Sequence, residues 1–498
     1  VAFEQLALPF EDSVVPSVAR GIQRTRRIFV NRDLRLNGAA YIGFDMDYTL
    51  AIYDQPEMDH LSIQATAQKL IRRGYPEYIA EIPYDTQFPI RGLLIDKRFG
   101  HILKMDRYKV VQRGYHGMRQ LTRDEIRGLY QSKKIRPTTP RYHWIDTLYA
   151  LSEAALYAGI VDSFEKTGTE IDYARLFTDI RECIDEAHGD GTILDAVLSD
   201  LPRFVMKDPE LAHTLHKFRS AGRRLFLLTN SRWPYTDRMM TYLLGGALPE
   251  YPTWRHYFDV VIVAAQKPAF FTQRRPLEER IGDELRPATF PLERGKIYQG
   301  GNLHDFERLL GVTGDRILYV GDHIYGDILR SKKESSWRTA MIIQEMEAEV
   351  VAHDACAADL ARKDELDEMR AKLEDDLRYN QSRYKDLSRQ IEAHAQKGEN
   401  GITLTQLTAQ RIRAKRSVER VRALLRELEK ESIVLGDRID KRFHPYWGSL
   451  LKEAVEKSSF GDQVEEYACL YTSRASNFLA YSPLQYFRSP RDLMPHEL

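Results

Sequence analysis

Short apolar runs recur along the chain, and most of them close on a polar residue: "AAYIGFD" (39–45), "RRLFLLT" (223–229), "FDVVIVAA" (258–265), "DRILYVGD" (315–322) and "RTAMIIQ" (338–344). Runs that are apolar at consecutive positions suit strands buried on both faces, as in a parallel sheet. Helix-period stretches lie between most of them. One is "PELAHTLHKFRSAG" (209–222), with Gly222 as its stop. The alternation predicts an α/β fold whose core is a doubly wound parallel sheet of Rossmann type. Between Asp47 and Thr229 lie about 180 residues with helical patterns of their own, such as "IDTLYALSEAALYAGIVDSF" (145–164). That is too long for a crossover and predicts a large inserted cap domain.

A different period begins near Glu345. Leu366, Leu373, Leu377, Tyr384, Leu387 and Ile391 follow an a/d heptad seam, "KGENG" (397–401) interrupts it, and a second seam runs through Leu407, Val418, Val421, Leu425, Leu428 and Leu435. Two arms of similar length predict an antiparallel helical hairpin, a spacer or assembly arm. The expected organisation is a core start over 1–48, a cap over 49–208, the rest of the core over 209–345, the hairpin over 346–440 and a closing segment over 441–498 packing on the body.

Composition narrows the setting. Basic and acidic residues balance at 73 each, so no overall field points to nucleic acid. Cys183, Cys356 and Cys469 are far apart, without ligand spacing, which suits a reducing compartment and neither a disulfide framework nor a zinc site. No apolar run reaches membrane-spanning length and no signal-peptide core opens the sequence. The expectation is a cytoplasmic protein with no membrane partner.

The polar residues that close the apolar runs carry the chemistry. The first run delivers Asp45 and Asp47, with Thr49 beyond. Alone, such a triplet fits a strand-end turn as well as a site for a cation and a phosphate. The second run ends in Thr229, Asn230 and Ser231, the third is followed by Lys267, and the fourth ends in Asp322 with Asp327 five residues on. Adjacent parallel strands would bring all of these tips to one crevice. Clustered carboxylates with a phosphate call for an oxygen-loving cation, for which Mg²⁺ is suited. Thr229, Asn230 and Ser231 can hold phosphate oxygens. Lys267 supplies a compact positive charge to a carboxylate nucleophile and the transferring phosphoryl group.

Asp-x-Asp-x-Thr, Thr-Asn, Lys-Pro and Gly-Asp-His-x-x-Gly-Asp, in that order, resemble the haloacid dehalogenase superfamily of phosphohydrolases. More narrowly, "GFDMDYTLAIY", "YDTQFPIRGLL", "TNS", "YTDRMMTYLL", "VGDHIYGDILRSKK" and "LMPHE" look like the cytosolic purine 5'-nucleotidases of type II. The resemblance implies Asp45 as nucleophile, passing through an aspartyl phosphate, and Asp47 as general acid and then base. It implies Mg²⁺ held by Asp45, the Asp47 carbonyl and Asp322, with Asp327 in support. Thr229, Asn230 and Lys267 would hold the phosphate.

The same resemblance places Tyr149, Arg181, Asp185 and His188 where the family reads base and sugar, with Ala150, Gly189 and Leu194 departing from its pattern. It implies a 6-oxopurine nucleoside monophosphate as substrate and a dimer or tetramer. For an ATP-type effector it offers Arg136, Tyr325, Lys332, Lys333, Gln463 and Tyr467. Asp146 and Glu466 stand there as added negative charges, which oppose a polyphosphate. Nucleoside phosphotransfer through the same intermediate, a phosphatase of another small metabolite and a non-catalytic scaffold are the competing readings. The last would require a lost nucleophile or metal ligand, and Asp45, Asp47, Lys267 and Asp322 are all present.

Overall fold

A computed structural model of the protein describes residues 21–131, 135–289, 291–329, 335–396, 402–491 and 494–497. A ten-stranded sheet forms the core of the body. Its parallel part runs, in spatial order, through Leu470–Thr472, Arg338–Ile342, Ile317–Gly321, Tyr41–Phe44, Arg224–Leu228, Val260–Val263 and Ile297–Gly300. Each of the five strands expected from the apolar runs is present. Tyr41–Phe44 lies in the middle, with Ile42 opposite both Leu225 and Leu318. From there the chain builds outward to one side, then returns to lay Ile317–Gly321 against the other side. This reversal of strand order opens a crevice at the carboxyl ends of the strands.

Close packing explains one residue choice in the central strand. A Cβ on Gly43 would meet the Phe226 ring at 2.0 Å, so only glycine lets the neighbouring strand's aromatic lie flat there. Phe226 in turn belongs to an aromatic core with Phe306, Tyr319 and Trp337. The helix expected at 209–222 spans Leu211–Ser220, and Gly222 beyond it has a φ of 77°.

Two further parallel strands were not expected: Ile297–Gly300 and, from the closing segment, Leu470–Thr472. Both are too short for periodicity to single them out. The cap differs more. Helical patterns are what the sequence shows there, and beside the helices Leu93–Asp96, His101–Met105, Val111–His116, Arg119–Gln120 and Tyr142–Ile145 form a five-stranded antiparallel sheet. Buried polar side chains mask the apolar signal of those strands. Asp96 is fully buried but takes the Arg141 guanidinium, and buried Lys104 donates to the Lys452 carbonyl at 2.7 Å. Helices Gln55–Arg72, Leu151–Thr167 and Tyr173–Gly189 complete the cap. The chain leaves and re-enters the core at one place, where Val205 pairs with Tyr53 and Met206 with Ile52.

Ala348–Ser449 is a separate compact unit. Its two long helices, Ala357–Gln396 and Ile402–Phe443, pack along each other. Leu366, Leu435 and Ile439 are buried between them, and Arg362–Glu431 and Arg438–Asp359 ion pairs cross the seam. The "KGENG" segment lies outside the described residues. No helix among the described residues is long and apolar enough to cross a membrane.

Candidate active site

The four strand tips converge as the topology requires. Buried oxygens of Asp45, Asp322 and Asp327 lie within 4.8 Å of one another. Lys267 Nζ stands 2.9 Å from Asp45 Oδ1 and 2.7 Å from Asp327 Oδ1, and it donates to the Tyr319 hydroxyl at 2.9 Å. Asp45 Oδ1 also accepts the Met46 N–H at 2.7 Å. Its other oxygen, Oδ2, accepts no hydrogen bond among the described residues.

Asp47 points elsewhere. Tyr53 donates to its Oδ1 and Ser231 to its Oδ2, each at 2.6 Å. Its side chain is thus outside the carboxylate cluster, leaving only its main chain for a cation. Asn230 is committed to the neighbouring loop: its amide bonds the Lys267 carbonyl at 2.9 Å and accepts the Lys267 N–H at 2.6 Å. That clasp sets where the lysine emerges. Thr229 is fully buried, and its hydroxyl accepts the Ser231 N–H at 3.1 Å. Of the phosphate-binding set expected from sequence, Asn230 and Ser231 therefore position Lys267 and Asp47.

Burial, which penalises the charged form, pushes the Asp45 carboxyl well above the usual range. Lys267 opposes this, and Asp327, Asp322 and Asp47 add to it. Asp322 is pushed up to about 7, first by burial and then by Asp327. Asp47 is raised by burial too, against its two hydroxyl donors. Lys267 stays charged because Asp327 and Asp45 outweigh its desolvation. Three buried carboxylates facing one ammonium leave an excess of negative charge. An all-oxygen donor set with that excess fits a hard divalent cation such as Mg²⁺.

Beside the cluster lies a cavity of about 940 Å³, lined by Tyr149, Arg181, Asp185 and His188 among others. The four residues expected to read a base are therefore together. The Tyr149 ring meets Tyr48 edge-on at 4.7 Å and His188 at 5.6 Å. Tyr48, whose φ is 55°, directly follows Asp47. Arg181 pairs with Asp185 at 3.3 Å, the helix-surface contact their spacing allows, and also with Glu153. Glu153 was not foreseen. Only one of its oxygens is paired; Oε2 is buried without a partner. A lone acid in the otherwise apolar "YALSEAALYAG" was the available signal. Burial pushes Glu153 up to about 7 against the pull of Arg181, holds His143 down to about 4 and lowers His188.

The expected effector residues are scattered in outcome. Asp146 and Gln463 line this same cavity, and Asp146 lies 3.3 Å from His323 Nε2. Arg136 is exposed and Tyr467 half-buried. Tyr325 lies in the turn of helix Ile324–Leu329, and Lys332 and Lys333 are outside the described residues.

A sequence model of the 5' nucleotidase family matches residues 28–498. The chain belongs to the 5' nucleotidase family. That family's chemistry, phosphoric monoester hydrolysis, is in keeping with the arrangement of the strand tips. The chain is 28% identical to a 5'-nucleotidase domain-containing protein of Dictyostelium discoideum, over 94% of this chain and 74% of that one. It is 35% and 34% identical to 5'-nucleotidase domain-containing protein 2 of Rattus norvegicus and Homo sapiens, over 65% of this chain in each case. It spans 60% and 64% of those two relatives' lengths. Solved structures that align include CbbY from Rhodobacter sphaeroides in complex with phosphate (14% identical, 61% of this chain and 86% of that one, TM-score 0.23). Another is L-2-haloacid dehalogenase from Xanthobacter autotrophicus (13%, 61% and 78%, TM-score 0.20). At those scores the likeness carries no argument, and the fold rests on its own strand order.

Proposed function

We propose that the chain is a Mg²⁺-dependent 5'-nucleotidase that hydrolyses nucleoside 5'-monophosphates, with 6-oxopurine nucleotides of the IMP and GMP type first among them. One observation carries the reading. A buried carboxylate, Asp45, with an ammonium at 2.9 Å and two further carboxylates beside it, adjoins a cavity of about 940 Å³, with room for a whole nucleoside.

In this reading Asp45 attacks phosphorus through its free oxygen, and the bond to the nucleoside 5'-oxygen breaks. Asp47 gives that oxygen its proton. Burial favours the protonated form of Asp47, and the Tyr53 and Ser231 hydroxyls hold its direction. Water then attacks the aspartyl phosphate, Asp47 takes the water's proton, and phosphate leaves with Asp45 restored. Lys267 holds negative charge on the nucleophile and on the phosphoryl oxygens throughout. Asp45 and Asp322, with the Asp47 main chain, would hold Mg²⁺, which when bound neutralises phosphoryl charge. Asp327, already tied to Lys267, would support them.

Tyr149 offers a face for the base, Arg181 offers donors to its oxygen and ring nitrogen, and Asp185 and Glu153 offer acceptors. Asp146 and Glu466 speak for a weak response to ATP. We include in the proposal a homo-oligomer of two or four chains and, from three buried free cysteines, a cytoplasmic setting. A phosphate-release screen over nucleoside monophosphates and sugar phosphates, with and without Mg²⁺, tests it. The expected result is Mg²⁺-dependent release with IMP or GMP at the top. Equal or better release from sugar phosphates overturns the substrate, and undiminished release under a chelator overturns the metal.

A further inference from the structure

Arg91 belongs to "YDTQFPIRGLL", a motif with no part in the chemistry described above, and among the described residues it is the most deeply buried arginine, at 1% exposure. It stands just before the cap strand Leu93–Asp96. Its guanidinium makes three bonds, to two partners. Nε and Nη2 fork onto Glu345 at 2.8 and 2.6 Å, and Nη1 donates to the main-chain carbonyl of Asp322 at 2.9 Å. The Phe460 ring lies 5.0 Å from its centre. A cap residue thus grips the backbone of a core carboxylate from behind, while that carboxylate faces Asp45 and Asp327.

Burying a guanidinium costs several kcal/mol unless its charge and donors are met, so a neutral residue would make a cheaper filler. Here the charge is met by Glu345, whose side chain keeps 30% exposure, and Nη1 donates to the Asp322 carbonyl. The planar fork fixes that donor's direction, which the flexible ammonium of a lysine would not do.

We propose that Arg91 is a positioning residue for the cation: it pins the Asp322 main chain so that the Asp322 carboxylate stays turned into the three-carboxylate cluster, and so ties the cap to the metal site. This rests on the metal-dependent reading of the site. Partners that orient a ligand from outside typically govern metal affinity by about 10- to 100-fold.

The test is Mn²⁺ binding to the full chain, read by electron paramagnetic resonance of free Mn²⁺, for wild type, Arg91→Lys, Arg91→Met and Glu345→Gln. Circular dichroism and melting without metal report the fold of each. The expected result is Mn²⁺ affinity lowered about tenfold or more in Arg91→Met and by less in Arg91→Lys. In both, saturating Mg²⁺ restores kcat. Glu345→Gln, which keeps the bond to Asp322, stays within about threefold of wild type. A purely structural arginine would lower the melting temperature and leave Mn²⁺ affinity unchanged, and that result overturns the inference alone. A wild-type chain that binds no Mn²⁺ overturns the metal reading and this inference with it. Should Arg91→Met not fold, Arg91→Lys at wild-type affinity is sufficient to overturn it.

Discussion

The strand-tip cluster and the cap cavity adjoin, yet they are built on opposite principles. Asp45, Asp47 and the Lys267 loop follow the ends of buried strands, and each is clasped by a neighbour: Asp45 by Met46 N–H, Asp47 by Tyr53 and Ser231, the Lys267 loop by Asn230. The cavity is lined from the strand Tyr142–Ile145, the loops beside it and two cap helices, and its polar groups are incompletely matched. Glu153 keeps a buried oxygen without a partner, and Arg181 is shared between Glu153 and the exposed Asp185. Strand tips held in this way are suited to fixed chemistry. A cavity with unspent acceptors is suited to a ligand that completes it.

The contrast is open to breaking. The largest effect should come from the cluster: Asp45→Asn keeps the shape but is a poor nucleophile, so kcat should fall by about a thousandfold or more with circular dichroism unchanged. Steady-state kinetics that place it within tenfold of wild type would remove the covalent route. In the cavity the expected change is of another kind. Glu153→Ala should raise KM about tenfold for the preferred nucleotide with kcat within about threefold, because it removes binding made equally in ground and transition states. A collapse of kcat at unchanged KM would put Glu153 in the chemistry and erase the division.

A smaller effect concerns stability. Asp59, on cap helix Gln55–Arg72, is 3% exposed, and burial pushes it up to about 8 against the Gln55 hydrogen bond. Its folded pKa is raised, so its favourable contribution is full below about pH 4 and is lost as pH rises through about 8. Asp59→Asn should therefore stabilise by roughly 1–3 kcal/mol at pH 8 to 9 and by little at pH 4, read from melting curves at both. Equal shifts at both pH values would contradict it. The smallest expected effects concern assembly and ATP. Shortening Ala357–Gln396 and Ile402–Phe443 symmetrically should leave kcat within about twofold while changing the oligomer seen by light scattering. ATP with excess Mg²⁺ should lower KM by less than about twofold. A large saturable ATP effect would mean that Asp146 and Glu466 do not repel it.

The sequence made the cluster legible because parallel strands advertise themselves as continuous apolar runs, and their C-terminal tips are where such folds bind ligands. Asp45, Lys267, Asp322 and Asp327 could be assembled on that ground before any coordinates. The cap sheet was not legible: Asp96, His101 and Lys104 are buried there because Arg141, Tyr130 and the Lys452 carbonyl satisfy them, and no local pattern announces distant partners. Glu153, Tyr53 and Arg91 were hidden for the same reason. Their roles depend on what they meet across the fold, at Arg181, Asp47 and Asp322. Asn230 and Ser231 were placed at the right tip, but which groups they would bond was a matter of fractions of an ångström that spacing does not encode.

The central claim, a phosphoryl group carried on Asp45, is tested most directly by trapping. Acid-quenched single turnover with ³²P-labelled IMP, followed by borohydride reduction and peptide mass spectrometry, reports which carboxyl was phosphorylated. The account predicts label in the quenched protein and reduction at position 45, absent in Asp45→Asn. Full turnover with no labelled protein at any quench time, or label on another residue with position 45 intact, would contradict it.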